Sequence, residues 1–288
     1  MTRIDRVGSQ TDVLGEGPVW DKASGALYWV DIRGQAVRRY EWASKKIDTW
    51  QVPELVGSLA VREAGGLLIA LQSGLAFFDP GTGNLDRLAS PEAGIPERRF
   101  NDGKCDRQGR FFAGTMNDVT RAPEGSLYRF DGRVCEPVQT GICIPNSLCW
   151  SPDGRTMYFS DSLGRTVFAY EFDIKTGMPG PRQTLFSVPA PAIPDGCTVD
   201  EEGCLWCAEY DGWRIRRYSA KGECLCTIDL PVQRPTSCMF GGPGLDVLFV
   251  TTTMQKLSAH ELARQPLAGA LLVLDVGMKG VAEARFEG

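Results

Sequence analysis

The sequence predicts an all-β fold, a six-bladed β-propeller formed as a single domain over residues 1–288. Three observations carry this expectation: a short motif recurs six times, its spacing is nearly constant, and long helical patterns are missing. The motif reads apolar, Asp or similar, two variable residues, Gly, then an apolar–aromatic run. Its copies begin at Val19, Val61, Cys105, Trp150, Val199 and Phe240, with marker glycines Gly25, Gly66, Gly109, Gly154, Gly203 and Gly244. The markers lie 41, 43, 45, 49 and 41 residues apart.

Each copy sets Asp, Pro and Gly between two apolar runs, which is the chemistry of a tight hairpin turn. A further strand-like run follows each one, at 36–42, 74–79, 125–131, 166–173, 213–219 and 269–275. A period of about 40–50 residues carrying about four strands matches a propeller blade. The ring must close, so residues 3–7 or 281–286 are expected to complete the last blade. Residues 258–264 read as one short turn of helix. A pair of β-sandwiches is the alternative fold, disfavoured by the regular period. Tyr28, Trp29, Trp150 and Trp206 fall on strands and are expected to pack between blades.

Composition narrows function. Lys plus Arg total 31 against 36 Asp plus Glu, a net charge of −5, which argues against a nucleic-acid or anionic-membrane partner. No run of 18 apolar residues occurs, so no membrane span is expected. The first ten residues lack the apolar stretch of a signal peptide, so a cytoplasmic location with ten reduced cysteines is expected. Cys204 and Cys207 form a CxxC, but in a strand residues three apart face opposite ways. Small apolar filler is the better reading. His260 is the only histidine, which removes multi-histidine metal sites and most Ser-His or Cys-His machinery. His260 itself is expected on an exposed turn.

The repeat also aligns a set of polar residues. Eight residues before their markers stand Ser58, Asn101, Asn146, Asp195 and Thr236, and nine before Gly25 stands Glu16. All six side chains carry oxygen. The first strand of each blade lines the central channel, so these positions form a ring at one mouth. Few basic residues accompany the ring in sequence; Arg99 and Lys104 flank one member. Buried carboxylates need a cation or a proton. A hard divalent ion suits oxygen donors without His or Cys. The competing reading has these residues capping strand ends and binding channel water.

At these residues the sequence resembles the SMP-30/gluconolactonase/regucalcin-like lactonases. The matching stretches are 14–20 (LGEGPVW), 99–104 (RFNDGK), 112–116 (FAGTM), 145–148 (PNSL), 193–196 (IPDG) and 236–242 (TSCMFGG). The resemblance implies hydrolysis of a sugar lactone, a small-molecule partner, with one divalent cation in the channel. Ca²⁺ comes first, with Zn²⁺, Mn²⁺, Mg²⁺ and Fe²⁺ open. It implies metal ligands at Glu16, Asn146 and Asp195 and substrate contacts at Arg99 and Asn101. Asp195 is the best candidate for the catalytic base that takes a proton from the attacking water. The family's animal members carry acidic residues after Gly-Thr-Met. Here only Asp118 is acidic in that stretch, and it is expected as a substrate contact. Lys104 reads more readily as a solvated or structural residue. Two other functions fit the same features: phosphotriester or ester hydrolysis on a related propeller, and calcium binding without turnover.

Overall fold

The computed structural model describes residues 2–288. It contains six four-stranded sheets, each antiparallel throughout, arranged as the blades of a propeller. The inner strands are Gly15–Asp21, Val56–Val61, Arg98–Cys105, Pro145–Trp150, Ile193–Val199 and Pro235–Gly241, for blades 1 to 6 in turn. Each is buried over almost its whole length, because it is flanked by both neighbouring blades.

The marker turns form as expected in five blades. Gly25, Gly66, Gly109, Gly154 and Gly203 all have positive φ, between +62° and +79°. In blade 6 the turn spans the same length, from Gly241 to Val247, but the marker glycine stands one residue early in it, and Leu245 rather than Gly244 takes the left-handed conformation. Aspartates tighten several of these turns. Asp106 accepts from the backbone N–H groups of Gln108 and Arg110, and Asp200 from those of Glu202 and Cys204.

The apolar core is divided among the blade interfaces. Six buried clusters occur, each drawing on two adjacent blades. Mostly aliphatic side chains, from Leu14 to Ala76, join blades 1 and 2 together with Phe78. Trp20, Trp29 and Tyr40 meet Met239 and Phe249 where blade 6 returns to blade 1. Trp29, Trp150 and Trp206 are fully buried in such clusters, as expected of inter-blade packing.

Closure uses the N-terminal strand Ile4–Val7, which pairs antiparallel with Leu271–Leu274 as the outermost strand of blade 6. The C-terminal segment, the other closure candidate, runs instead beneath the hairpin turns at the far end of the channel. Phe286 exchanges backbone hydrogen bonds with Val61 and Glu63, stacks on Phe130 and is fully buried. The short helix forms at Ala259–Arg264 with a capping box from Ser258 to Glu261, and His260 on it is exposed. All ten cysteines are free thiols. No helix among the described residues is long and apolar enough to cross a membrane.

Candidate active site at the channel mouth

Every inner strand carries a β-bulge at or beside its ring position. Glu16 lies at the irregularity between Glu16 and Val19, Asn101 within that between Phe100 and Gly103, and Asn146 at that between Asn146 and Cys149. Asp195 lies within the one between Pro194 and Cys197. A bulge places two residues opposite one and re-aims the side chain there. Gly17 and Ser147, next after Glu16 and Asn146, have φ of +53° and +60°. The strands approach closely at this level: a Cβ on Gly57 would sit 2.3 Å from the carbonyl oxygen of Phe100, so only glycine fits.

Carboxylates at the ends of neighbouring strands fix the approach. Asp31 accepts from the N–H groups of Val13 and Leu14, both at 3.0 Å. Asp161 does the same for Cys143 and Ile144, at 2.8 and 3.1 Å. Each clamps the chain just before a ring residue, Glu16 in one case and Asn146 in the other.

The ring then divides. Glu16, Asn101, Asn146 and Asp195 line a cavity of about 250 Å³ at the mouth. Ser58 and Thr236 do not. Thr236 donates to the carbonyl of Gly15 at 2.5 Å and lies 2.9 Å from Thr251 Oγ1, while Ser58 is wholly buried beside Gly103. Four members face one cavity; Thr236 fits the strand-capping alternative, and the Ser58 hydroxyl is buried without a hydrogen-bond partner.

A relay of hydrogen bonds orders the two amides, Asn101 and Asn146. Arg99 Nη1 donates to Asn101 Oδ1 at 2.7 Å, and Asn101 Nδ2 donates to Asn146 Oδ1 at 3.1 Å. Asn146 Nδ2 donates to Ser162 Oγ at 2.8 Å, which donates onward to the carbonyl of Pro194 at 2.7 Å. The amide oxygen of Asn146 keeps one free lone pair. Oδ1 of Asp195 is buried and has no hydrogen-bond partner. Burial, reinforced by Glu16 and Asp102, holds the Asp195 carboxyl well above the usual range. Burial and Asp102 likewise push Glu16 up to about 8. These are carboxylates short of positive charge, and with the Asn146 oxygen they fit a hard divalent cation. Among the described residues no three of His, Cys, Asp and Glu converge as a metal cage, so any cation here also needs amide and water oxygens.

Four features escape sequence reasoning. Asp102 adds a third carboxylate beneath the ring; it accepts from Leu148 N–H at 3.0 Å, and burial raises its pKa against the pull of Lys104. Lys104 is buried rather than solvated. Its Nζ donates to the carbonyl of Cys197 at 2.9 Å and lies 3.9 Å from Glu283, which reaches it from the C-terminal segment. Asp118, expected to reach substrate, is engaged by Arg33 at 2.7 Å and by Arg99 Nε at 3.0 Å and does not line the cavity. It sits just past its strand end, where the two guanidiniums draw it sideways. Finally, basic residues are plentiful rather than few: Arg33, Arg121, Arg234 and Lys256 join Arg99 around the cavity. They come from loops outside the repeat register.

Residues 14–254 match the model of the SMP-30/Gluconolactonase/LRE-like region. The chain is 38% identical over 282 residues to 6-deoxy-6-sulfogluconolactonase of Pseudomonas putida, covering 97% of each. It is 36% identical over 296 residues to regucalcin of Xenopus laevis, covering 99% of each. Its backbone matches a structure of regucalcin, described as a calcium-binding protein, from Agrobacterium tumefaciens with a TM-score of 0.95 at 29% identity, over 98% of this chain and 97% of that one. The chain belongs to the SMP-30/gluconolactonase/LRE-like family.

Proposed function

We propose that this chain opens a sugar lactone to the corresponding aldonic acid at the channel mouth, with a divalent cation held by Glu16, Asn146 and Asp195. The observation that carries the reading is the unpartnered Asp195 carboxylate facing a cavity shared with Glu16, Asn146, Arg99 and Asn101. The lactonase name of the Pseudomonas putida relative supports the reaction class. Ca²⁺ is the favoured ion, because the donors are all hard oxygens and the Agrobacterium tumefaciens relative is described as calcium-binding.

When bound, such a cation supplies Lewis-acid polarisation of the ester carbonyl and charge stabilisation as water attacks. The chain supplies the rest. Asp195 accepts a proton from the attacking water, and that proton returns to the ring oxygen as the ester C–O bond breaks. Arg99 is oriented by Asp118 and by the carbonyl of Phe100, leaving Nη2 for a sugar hydroxyl. Asn101 gives both amide hydrogens to the protein, so its remaining acceptor capacity at Oδ1 is what it offers substrate. The small cavity suits a monosaccharide.

The test is a lactone panel assayed beside a phosphotriester, each with added Ca²⁺ and after chelation. Cation-dependent lactone opening is expected. Full activity after chelation, or turnover of the phosphotriester alone, overturns the reading, and tight cation binding without any turnover favours a binding protein.

A further inference from the structure

The rim of the cavity carries more positive charge than the site described above uses. Five cationic side chains line it against three carboxylates, Glu16, Asp195 and Asp211, in a protein whose net charge is −5. Most are paired. Arg33 and Arg99 share Asp118, and Arg234 Nε meets Asp211 at 2.6 Å. Arg121 and Lys256 have no side-chain hydrogen bond or ion pair among the described residues, although both line the cavity. Lys256 faces Arg121, Arg33 and Arg234, which together with burial lower its pKa from the ordinary lysine value.

Both residues are presented by pinned loops. Arg121 N–H bonds to the carbonyl of Asn117, whose side chain accepts from Val119 and Thr120 and donates to Glu124. The chain before Lys256 is tied down by bonds from Met254 and Gln255 to the carbonyl of Val13. Arg121 and Lys256 also hold φ of +56° and +60°, a left-handed conformation that is costly outside glycine. Like charges lining one cavity, on loops fixed in strained conformations, are compensated when an anion lies between them. A neutral sugar brings none.

We propose that Arg121 and Lys256, backed by Arg33 and Arg234, form an anion subsite at the rim that receives a sulfonate, phosphate or carboxylate borne by the sugar at the end remote from its ester. The substrate class is then an anionic sugar lactone. The proposal rests on the lactone reading for the nature of the substrate, while the anion subsite stands on its own residues. Arg121 offers a planar fork to paired oxygens and Lys256 a point charge beside it.

The experiment compares kcat/KM for an unsubstituted six-carbon aldonolactone with its 6-sulfonate, 6-phosphate and 6-carboxylate forms. It uses the full chain and an Arg121→Ser/Lys256→Ser double variant. The wild type should prefer at least one anionic form by roughly 10- to 100-fold, mostly through KM, and the double variant should bring that ratio close to one. Arg121→Lys should retain part of the preference, and Arg121→Glu should invert it. The anionic form preferred identifies the group. Preference for the neutral lactone, or an unchanged ratio in the double variant, overturns the proposal. If no lactone is opened, the lactone reading fails, and calorimetric titration with the open-chain 6-sulfonated and unsubstituted aldonates still decides the subsite. There, equal affinities in both proteins overturn it.

Discussion

The floor of the cavity is built from inner strands at bulges, with side chains locked by neighbours at 2.7–3.1 Å. The rim is built from loops: Arg33, Arg121 and Lys256 stand between the second and third strands of blades 1, 3 and 6, and Arg234 on the connection from blade 5 to blade 6. Arg121 and Lys256 are unpaired among the described residues. Floor residues are buried, and their protonation is governed by desolvation and by one another. Rim residues are half-buried or exposed and reach outward. The contrast teaches a division of labour: rigid strands hold the chemistry fixed, while loops choose what enters.

The sharpest way to break this division is Asp195→Ala. Loss of at least about 10³-fold in kcat/KM is expected, together with loss of cation binding and an unchanged circular dichroism spectrum. Residual activity within tenfold of wild type would place the chemistry elsewhere.

Next in size is pH. Glu16 is pushed up to about 8 by burial and Asp102, with Asp195 beside it and Arg99 opposing. Below that pH the folded protein holds a proton that a cation must displace. Cation affinity is therefore expected to rise with pH, by up to about tenfold per unit, and to level off above about 8. Titration calorimetry in buffers of different ionisation enthalpy reads the released proton. A flat profile from pH 6 to 9 would contradict it.

Ser162→Ala removes the acceptor that holds Asn146 Nδ2 at 2.8 Å without touching the cavity itself. Cation affinity should fall about 10-fold or more, as for other groups that orient a ligand, and excess cation should restore the rate. A lower rate that saturating cation leaves uncorrected would instead indicate a packing defect.

On the rim side, Asp118→Asn frees Arg33 and loosens Arg99. A rise in KM of roughly threefold to tenfold with kcat nearly constant is expected, since the Arg33 pair is partly exposed and the buried Arg99 keeps its bonds to Phe100 and Asn101. A fall confined to kcat would move Asp118 to the floor in function.

The smallest effect tests the scaffold beneath both. Gly57→Ala puts a methyl against the carbonyl of Phe100 and should cost about 1–3 kcal/mol of stability, measured by denaturant titration. Neutral stability would show that the inner strands can shift outward.

The same division explains what the sequence made legible. Blade count, closure by a terminal strand and the register of Glu16, Asn101, Asn146 and Asp195 follow from a hairpin repeat of nearly constant length. A side chain a fixed distance before a turn lands at a fixed height in the channel. Ser58 and Thr236 share the offset from a marker glycine but not the strand register: counted from the last paired residue before the turn, Asn101 and Asp195 stand four residues back, Ser58 three and Thr236 five. The loop cations obey no period. Arg121 and Lys256 each stand twelve residues beyond a marker glycine, a coincidence in sequence that only the fold turns into adjacency. Lys104 and Asp102 were hidden differently: the Asn-Asp-Gly-Lys run reads as a surface turn, and only its place in an inner strand buries it.

The strand that seals the ring has a temporal consequence. Ile4–Val7 leaves the ribosome among the first residues, yet its partners lie 264 to 270 positions further along the polypeptide. Until they emerge, blade 1 has no blade 6 to lean on, and Trp20, Trp29 and Tyr40 remain uncovered on that side. Glu16 belongs to that waiting blade, so a nascent chain has no finished cavity, and anything that binds there can stabilise only the completed molecule.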